Sequence, residues 1–228
     1  MEQSIARYLD AAILYPELEQ DKTRDAIKRV IGYDCITACI RPCDIDLAVG
    51  LCRGTSTGVC VVLGFPHGCE LSRVKGSAAA AYLEGGVDEI DMVANYGYIR
   101  SGEWDLVTTD IEAVTAVARP HGAPVKVILE TSELSAEQIA RATECAIAAG
   151  ADFVKTSTGF ASGGATAEAV QTMLDTARGR IQVKASGGIR DYARAQAYID
   201  RGVTRLGAGY TSLAAICDGA PSSGGDAY

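Results

Sequence analysis

Eight short β-type runs, each followed by a stretch with helical spacing, constrain this chain's fold more than any other feature. The runs are "ARYLDAAI", "CITACI", "GVCVVLGF", "DEIDMVAN", "VKVILE", "DFVKTSTG", "IQVKASG" and "TRLGAG". Segments between them, such as "SAEQIARATECAIAAGA" and "SRVKGSAAAAYLEGGV", place apolar residues at helical spacing and mostly stop at glycine. Nearly continuous apolar runs, rather than alternating ones, indicate a parallel sheet covered on both faces. Eight βα units in 228 residues fit a closed (β/α)8 barrel, the TIM barrel, which typically takes ~250 residues. An open doubly wound sheet is the structural alternative, but the first run lacks the G-x-G-x-x-G turn of a dinucleotide fold. The expectation is one α/β barrel domain over residues 1–218 and a flexible C-terminal tail over residues 219–228, where Gly, Ser and Pro dominate.

In such a barrel the chemistry gathers at the C-terminal ends of the strands. Polar residues late in each run then form a candidate set: Asp10, Cys39, Asp91, Asn95, Glu130, Lys155 and Lys184. Glycine-rich turns follow the last three runs as "STGFASGG", "SGGIR" and "GAGYTS". Lys126 opens its run, so it is expected low in the barrel as a structural or ion-pairing residue. Asp88 and Glu89 are assigned to the strand entrance and the opposite face.

Two of these residues raise a chemical question, because a lysine is rarely buried unless paired. "DFVKTSTGF" and "IQVKASGGIR" share one design: an apolar lead-in, a lysine, then small residues and glycine. An amine attacks a carbonyl only as the free base, which at an unperturbed pKa of ~10.4 is scarce at neutral pH. A second ammonium at ~4 to 5 Å, together with burial, opposes protonation. Lys155 and Lys184 on adjacent strands would make such a pair, with Lys155 in range for Schiff-base formation. Equally open is simple pairing of each lysine with a core carboxylate such as Asp91 or Glu130. Asp91 is placed to relay protons or to balance the buried positive charge. The glycine turns suit a phosphate held by backbone N–H groups.

Composition narrows the classes. The net charge of −8 argues against nucleic-acid and anionic-membrane partners. No apolar stretch reaches ~18 residues, and "MEQSIARYLD" has no signal-peptide character, so a cytoplasmic protein is expected. Six of the eight cysteines lie between Cys35 and Cys69, without a CxxC pair, and read as reduced packing thiols rather than metal ligands. His67 and His121 read as exposed turn residues, and no metal site is expected.

At these residues the chain resembles the deoxyribose-phosphate aldolases, a class I aldolase family. The resemblance runs through "GFPHG" at 64–68, "DEIDMV" at 88–93, "KVILET" at 126–131, "DFVKTSTGF" at 152–160 and "VKASGGIR" at 183–190. It implies a TIM barrel that reversibly cleaves 2-deoxy-D-ribose 5-phosphate to D-glyceraldehyde 3-phosphate and acetaldehyde, with no metal or organic cofactor. It implies Lys155 as the Schiff-base lysine, Lys184 as the residue that perturbs its pKa, and Asp91 as proton donor and acceptor. The family's chains commonly end in a tyrosine on a mobile tail, which makes Tyr228 a candidate catalytic residue. The candidate substrate-binding residues are Asp10, Cys39, Thr156, Gly159, Ser186, Gly187, Gly188, Gly207 and Gly209. A homo-oligomer, a dimer, is expected.

The chain departs from the family in two places. An Asp-His-Thr-Leu-Leu pattern is replaced by "DAAIL", and the serines after a Gly-Ala pair are replaced by Gly209 and Tyr210. Two other readings compete: a Schiff-base aldolase acting on a different or non-phosphorylated aldehyde, and a catalytically silent barrel that binds a sugar phosphate.

Overall fold

A computed structural model of the chain describes residues 4–221. All eight runs form strands: β1 (Leu9–Ile13), β2 (Thr37–Ile40), β3 (Gly58–Leu63), β4 (Glu89–Val93), β5 (Val125–Ile128), β6 (Phe153–Lys155), β7 (Gln182–Ser186) and β8 (Arg205–Gly209). Each pairs in parallel with the next, and β8 returns to β1, so the sheet closes. The strands are shorter than the apolar runs. The first run begins as a 3-10 turn, Ile5–Tyr8, and "DFVKTSTG" leaves the ladder after Lys155 because its hydroxyls bond neighbouring loops.

The connections are helical: α1 (Gln20–Gly32), α2 (Ile45–Cys52), α3 (Ser72–Glu84), α4 (Tyr96–Ser101), α5 (Trp104–Ala118), α6 (Ala136–Ala148), α7 (Ala167–Ala177), α8 (Tyr192–Asp200) and α9 (Leu213–Cys217). Two helices follow β4. Asn95, expected among the site residues, caps α4 by accepting from Tyr98 N at 3.2 Å, and Gly102 with φ 72° separates α4 from α5.

The core has two parts because successive strand residues point to opposite faces. Outward residues such as Ile90, Met92, Val127, Val154 and Leu206 pack with helix residues such as Ile27, Ile111 and Val170. Inside, β1 to β3 contribute a small apolar cluster of Ala12, Leu14, Cys39, Cys60 and Val62. β4 to β8 contribute charges. The buried strands therefore alternate in polarity where the sequence suggests continuous apolar runs: in "EIDMV", Glu89 and Asp91 enter charged contacts while Ile90 and Met92 join the outer core. Glu89 corrects an expectation, since it lies in the barrel's lower layer, bonded to Lys126 and Arg205, and not on the opposite face. Asp88 does stand at the strand entrance, accepting from Val59 N at 2.7 Å.

Helix α9 ends at Cys217, and most of the tail expected over residues 219–228 lies outside the described residues. Tyr228 lies outside the described residues. Among the described residues no helix is long and apolar enough to cross a membrane.

Candidate active site

The register of β6 on β7 sets Lys155 beside Lys184. Both side chains enter the barrel, fully buried, and meet one carboxylate oxygen: Asp91 Oδ2 lies 2.7 Å from Lys155 Nζ and 2.7 Å from Lys184 Nζ. Asp91 comes from the middle of β4 and faces them across the barrel. Its other oxygen, Oδ1, accepts from Lys126 Nζ at 2.8 Å and from the Cys60 thiol at 3.1 Å. Burial pushes the Asp91 carboxyl up, but Lys126, Lys155 and Lys184 together outweigh it and hold the group well below the usual carboxylate range.

Asp10 anchors the other side of Lys184 through Oδ2 and accepts from Arg205 at 2.7 Å and Thr37 at 2.8 Å through Oδ1. Here too burial acts upward and is overruled, by Lys126, Lys184 and Arg205, so Asp10 stays ionised. Arg205 and Lys126 bond Glu89 beneath, and both cations lie over the Phe153 ring. Four cations thus share three carboxylates inside the barrel, which leaves one positive charge in excess.

The candidate binding residues surround this cluster. Gly207 lies next to Ser186 on the neighbouring strand, and a Cβ there would come within 2.7 Å of Ser186 Cβ and 3.3 Å of Lys184 Cε. Gly187 and Gly188 turn the chain with φ 87° and 76°, a region that favours glycine. The Thr156 hydroxyl bonds the backbone N–H and C=O of Ser186, both at 3.0 Å, and Ser186 Oγ donates to Ser157 O at 2.6 Å. These hydroxyls join the β6 and β7 loops. Gly159 sits in the turn after β6 with φ 84°, and Gly209 begins the 3-10 turn Tyr210–Ser212.

Cys39 lies on the apolar side, and its sulfur, the Cys60 sulfur and an Asp91 oxygen fall within 4.8 Å of one another. A dication there would meet the three ammoniums that already hold Asp91, so the donor set does not suit a metal. His67 and His121 are exposed turn residues, as expected.

Several residues of the site escape the sequence reading. Lys126, expected low and ion-paired, is so, but it also reaches Asp91. Arg205, Glu89 and Cys60 carried no signal beyond their place in a strand. Glu130 is buried in the left-handed region at φ 60° and accepts from Thr158 N at 3.3 Å and from the Thr158 hydroxyl; burial raises its carboxyl against the opposing pull of the Thr158 bonds and the Lys155 charge. Arg190 follows the Gly187–Gly188 turn with its Nε buried and without a partner among the described residues. Tyr15, after β1, feels both Tyr210, after β8, and Arg190.

Residues 49–219 match the DeoC/LacD family aldolase model. A Clostridium perfringens protein named deoxyribose-phosphate aldolase is 41% identical over 95% of this chain and 96% of its own length. A Cutibacterium acnes protein named deoxyribose-phosphate aldolase 1 is 43% identical over 90% of this chain and 94% of its own. Among solved structures, an aldolase described as QR15 superposes with a TM-score of 0.88 at 35% identity, covering 94% of this chain and 95% of that one. The tetrameric deoxyribose phosphate aldolase of Aeropyrum pernix gives 0.86 at 28% identity, covering 94% and 89%. A closed parallel barrel, two lysines on one aspartate and matches over nearly the whole chain agree: this protein belongs to the DeoC/LacD family of aldolases.

Proposed function

We propose that the chain is a class I aldolase that cleaves 2-deoxy-D-ribose 5-phosphate to D-glyceraldehyde 3-phosphate and acetaldehyde through a Schiff base on Lys155. One observation carries the mechanism: Lys155 and Lys184 share a single oxygen of Asp91 in a buried cluster with one cation too many. Such a cluster reaches neutrality by giving up one proton, which is what an amine must do before it attacks an aldehyde.

Lys155 Nζ adds to C1 of the open-chain sugar, and loss of water leaves the imine. Removal of the C3 hydroxyl proton breaks the C2–C3 bond, the imine accepts the electron pair, and glyceraldehyde 3-phosphate departs. The enamine gains a proton at C2, and hydrolysis frees acetaldehyde and the lysine. Asp91, bridging both lysines, passes protons while its charge is stabilised from four sides. The anionic end of the substrate is assigned to the Gly187–Gly188 turn, where Arg190 supplies a cation and Gly209 a backbone N–H. Asp10, Cys39, Thr156, Gly159, Ser186 and Gly207 shape the pocket around it. Tyr228 is assigned the carbon-side proton transfer. Deleting it is expected to slow exchange of the acetaldehyde methyl protons and lower turnover by roughly 10², with trapping nearly intact.

The direct test is borohydride reduction with acetaldehyde, beside a cleavage assay. Wild type is labelled irreversibly, and Lys155→Ala loses both labelling and turnover. Lys184→Leu loses most turnover but recovers part of it at alkaline pH, since one of the two repelling ammoniums is gone. Identical behaviour of the two variants would contradict this division of labour.

A second reading rests on a cavity of about 390 Å³ whose apolar wall, Leu14, Pro16, Val62, Phe65 and Phe160, is completed by Arg41, Glu70 and Tyr82. Its apolar wall suits a non-phosphorylated acceptor aldehyde. Cleavage of deoxyribose at a rate comparable to its 5-phosphate would favour this reading. A cytoplasmic role in deoxyribonucleotide and carbohydrate breakdown, and a homodimer, complete the proposal; the exposed Leu71, Val74 and Leu106 offer apolar surface for a second copy. Light scattering of the purified chain decides the dimer.

A further inference from the structure

We propose that Lys126 is a positioning residue of this reaction: by gripping Asp91 Oδ1 it turns Oδ2 toward Lys155 and Lys184. The assignment rests on the aldolase reading above and extends it to a residue that touches no substrate.

Lys126 is placed for this task and for no direct one. Lys155 is in register with Ile128, two residues further along β5, so the backbone of Lys126 sits one interior layer lower, about 6 to 7 Å down the strand, although its side chain reaches the same carboxylate as Lys155. Its ammonium is fully buried and cannot swing. Glu89 Oε2 holds it at 2.6 Å, Asp10 Oδ2 lies at 3.5 Å, and the Phe153 ring centroid lies at 6.0 Å. From this fixed point it reaches Asp91 Oδ1 at 2.8 Å, and Cys60 donates to the same oxygen.

A carboxylate held at one end cannot rotate about its Cβ–Cγ bond without breaking that contact, and here rotation would also carry Oδ2 away from both upper lysines. Every group facing Asp91 fits this picture: Lys155 and Lys184 from β6 and β7 on Oδ2, Lys126 from β5 and Cys60 from β3 on Oδ1, with Cys39 on β2, Asp10 on β1 and Glu89 on β4 around them. Of the donors on Oδ1, Lys126 alone is charged. Removing it takes away both the fixed plane and one of three ammoniums that keep Asp91 ionised against burial.

The experiment compares Lys126→Met, Lys126→Arg and Glu89→Gln in the full chain, reading kcat, KM, borohydride trapping and the pH profile of kcat. Lys126→Met is expected to lower kcat by up to about 10²-fold with KM nearly unchanged, and to slow trapping at neutral pH but not at alkaline pH, because the surplus positive charge that frees the Lys155 amine is gone. The acidic limb of its kcat profile should move up by about one pH unit or more, because a neighbouring opposite charge is gone. Lys126→Arg should restore the wild-type limb. A folded Lys126→Met with wild-type kcat and an unmoved limb overturns the assignment. If that variant does not fold, Glu89→Gln decides: freed from its competing carboxylate, Lys126 serves Asp91 more fully and the limb moves to lower pH, whereas an unmoved limb overturns the proposal. A wild-type chain that traps no acetaldehyde sinks the aldolase reading itself, and the role of Lys126 with it.

Discussion

Gly207 carries no functional group, yet the two-lysine arrangement depends on it. A methyl at this position would press on Ser186 Cβ at 2.7 Å, and behind it stands the stem of Lys184. Neither can yield, since Ser186 is tied to Ser157 and Lys184 to Asp10 and Asp91. Gly207→Ala is therefore expected to cost about 1 to 3 kcal/mol, the range for overpacking a filled core. It should also cut turnover by displacing Lys184, which denaturant titration and the cleavage assay together would reveal. Wild-type stability and rate would show that the barrel wall is softer than this packing implies.

Legibility at the residue scale followed the anomaly each residue presents. A lysine late in an apolar run is out of place, so Lys155 and Lys184 are visible from sequence, and Asp91 stands out in the same way. Lys126 is just as anomalous in "VKVILE", but its importance depends on which layer it occupies, and the layer is set by register across β4, β5 and β6. Arg205 and Glu89 open their strands, where polar residues are ordinary. Cys60 looks like any small packing residue until Asp91 is found beside it.

At the scale of elements, all eight strands were readable because β-type runs bounded by glycine and followed by helical spacing leave few alternatives. Their ends were not, because hydroxyl side chains decide where the ladder stops. The loop after β6 shows why. Thr158 gives its N–H and hydroxyl to Glu130, and its oxygen accepts from Phe160 N at 3.0 Å, so here the segment is tied to the residue after β5 instead of continuing the ladder. Thr158→Val keeps the shape and the backbone N–H bond to Glu130 but removes the two bonds made by the hydroxyl. It is expected to destabilise by about 1 to 3 kcal/mol, as Glu130 loses a partner in a buried position. Thermal unfolding measures the loss. A lower kcat in the same variant would show that this loop helps hold Lys155, while an unchanged melting temperature would mean that Glu130 finds another donor.

For the whole molecule, the interior charges set the acid limit. Asp10 and Asp91 have folded pKa values below the ordinary carboxylate value of ~3.9, so the stability they contribute is present above that pH and is lost progressively as pH falls from there down through the folded values. The urea midpoint should stay nearly flat from neutral pH to about 5 and then drop steeply below about 4. Asp10→Asn should reduce that acid slope while lowering stability at neutral pH, because Lys184 and Arg205 lose a buried partner. A midpoint insensitive to acid would mean that these carboxylates are not ionised in the folded chain.

The placement of Asp10 also bears on how the ring is completed. β4 to β8 hold Lys126, Lys155, Lys184 and Arg205 against Glu89 and Asp91 alone, so as a separate sheet they would carry two surplus positive charges in their interior. The balancing carboxylate arrives from the other end of the chain, 174 residues from Lys184 and 195 from Arg205. The β8–β1 seam is thus drawn shut by charge as well as by backbone hydrogen bonds, and an unfinished barrel is penalised until its first strand docks against its last.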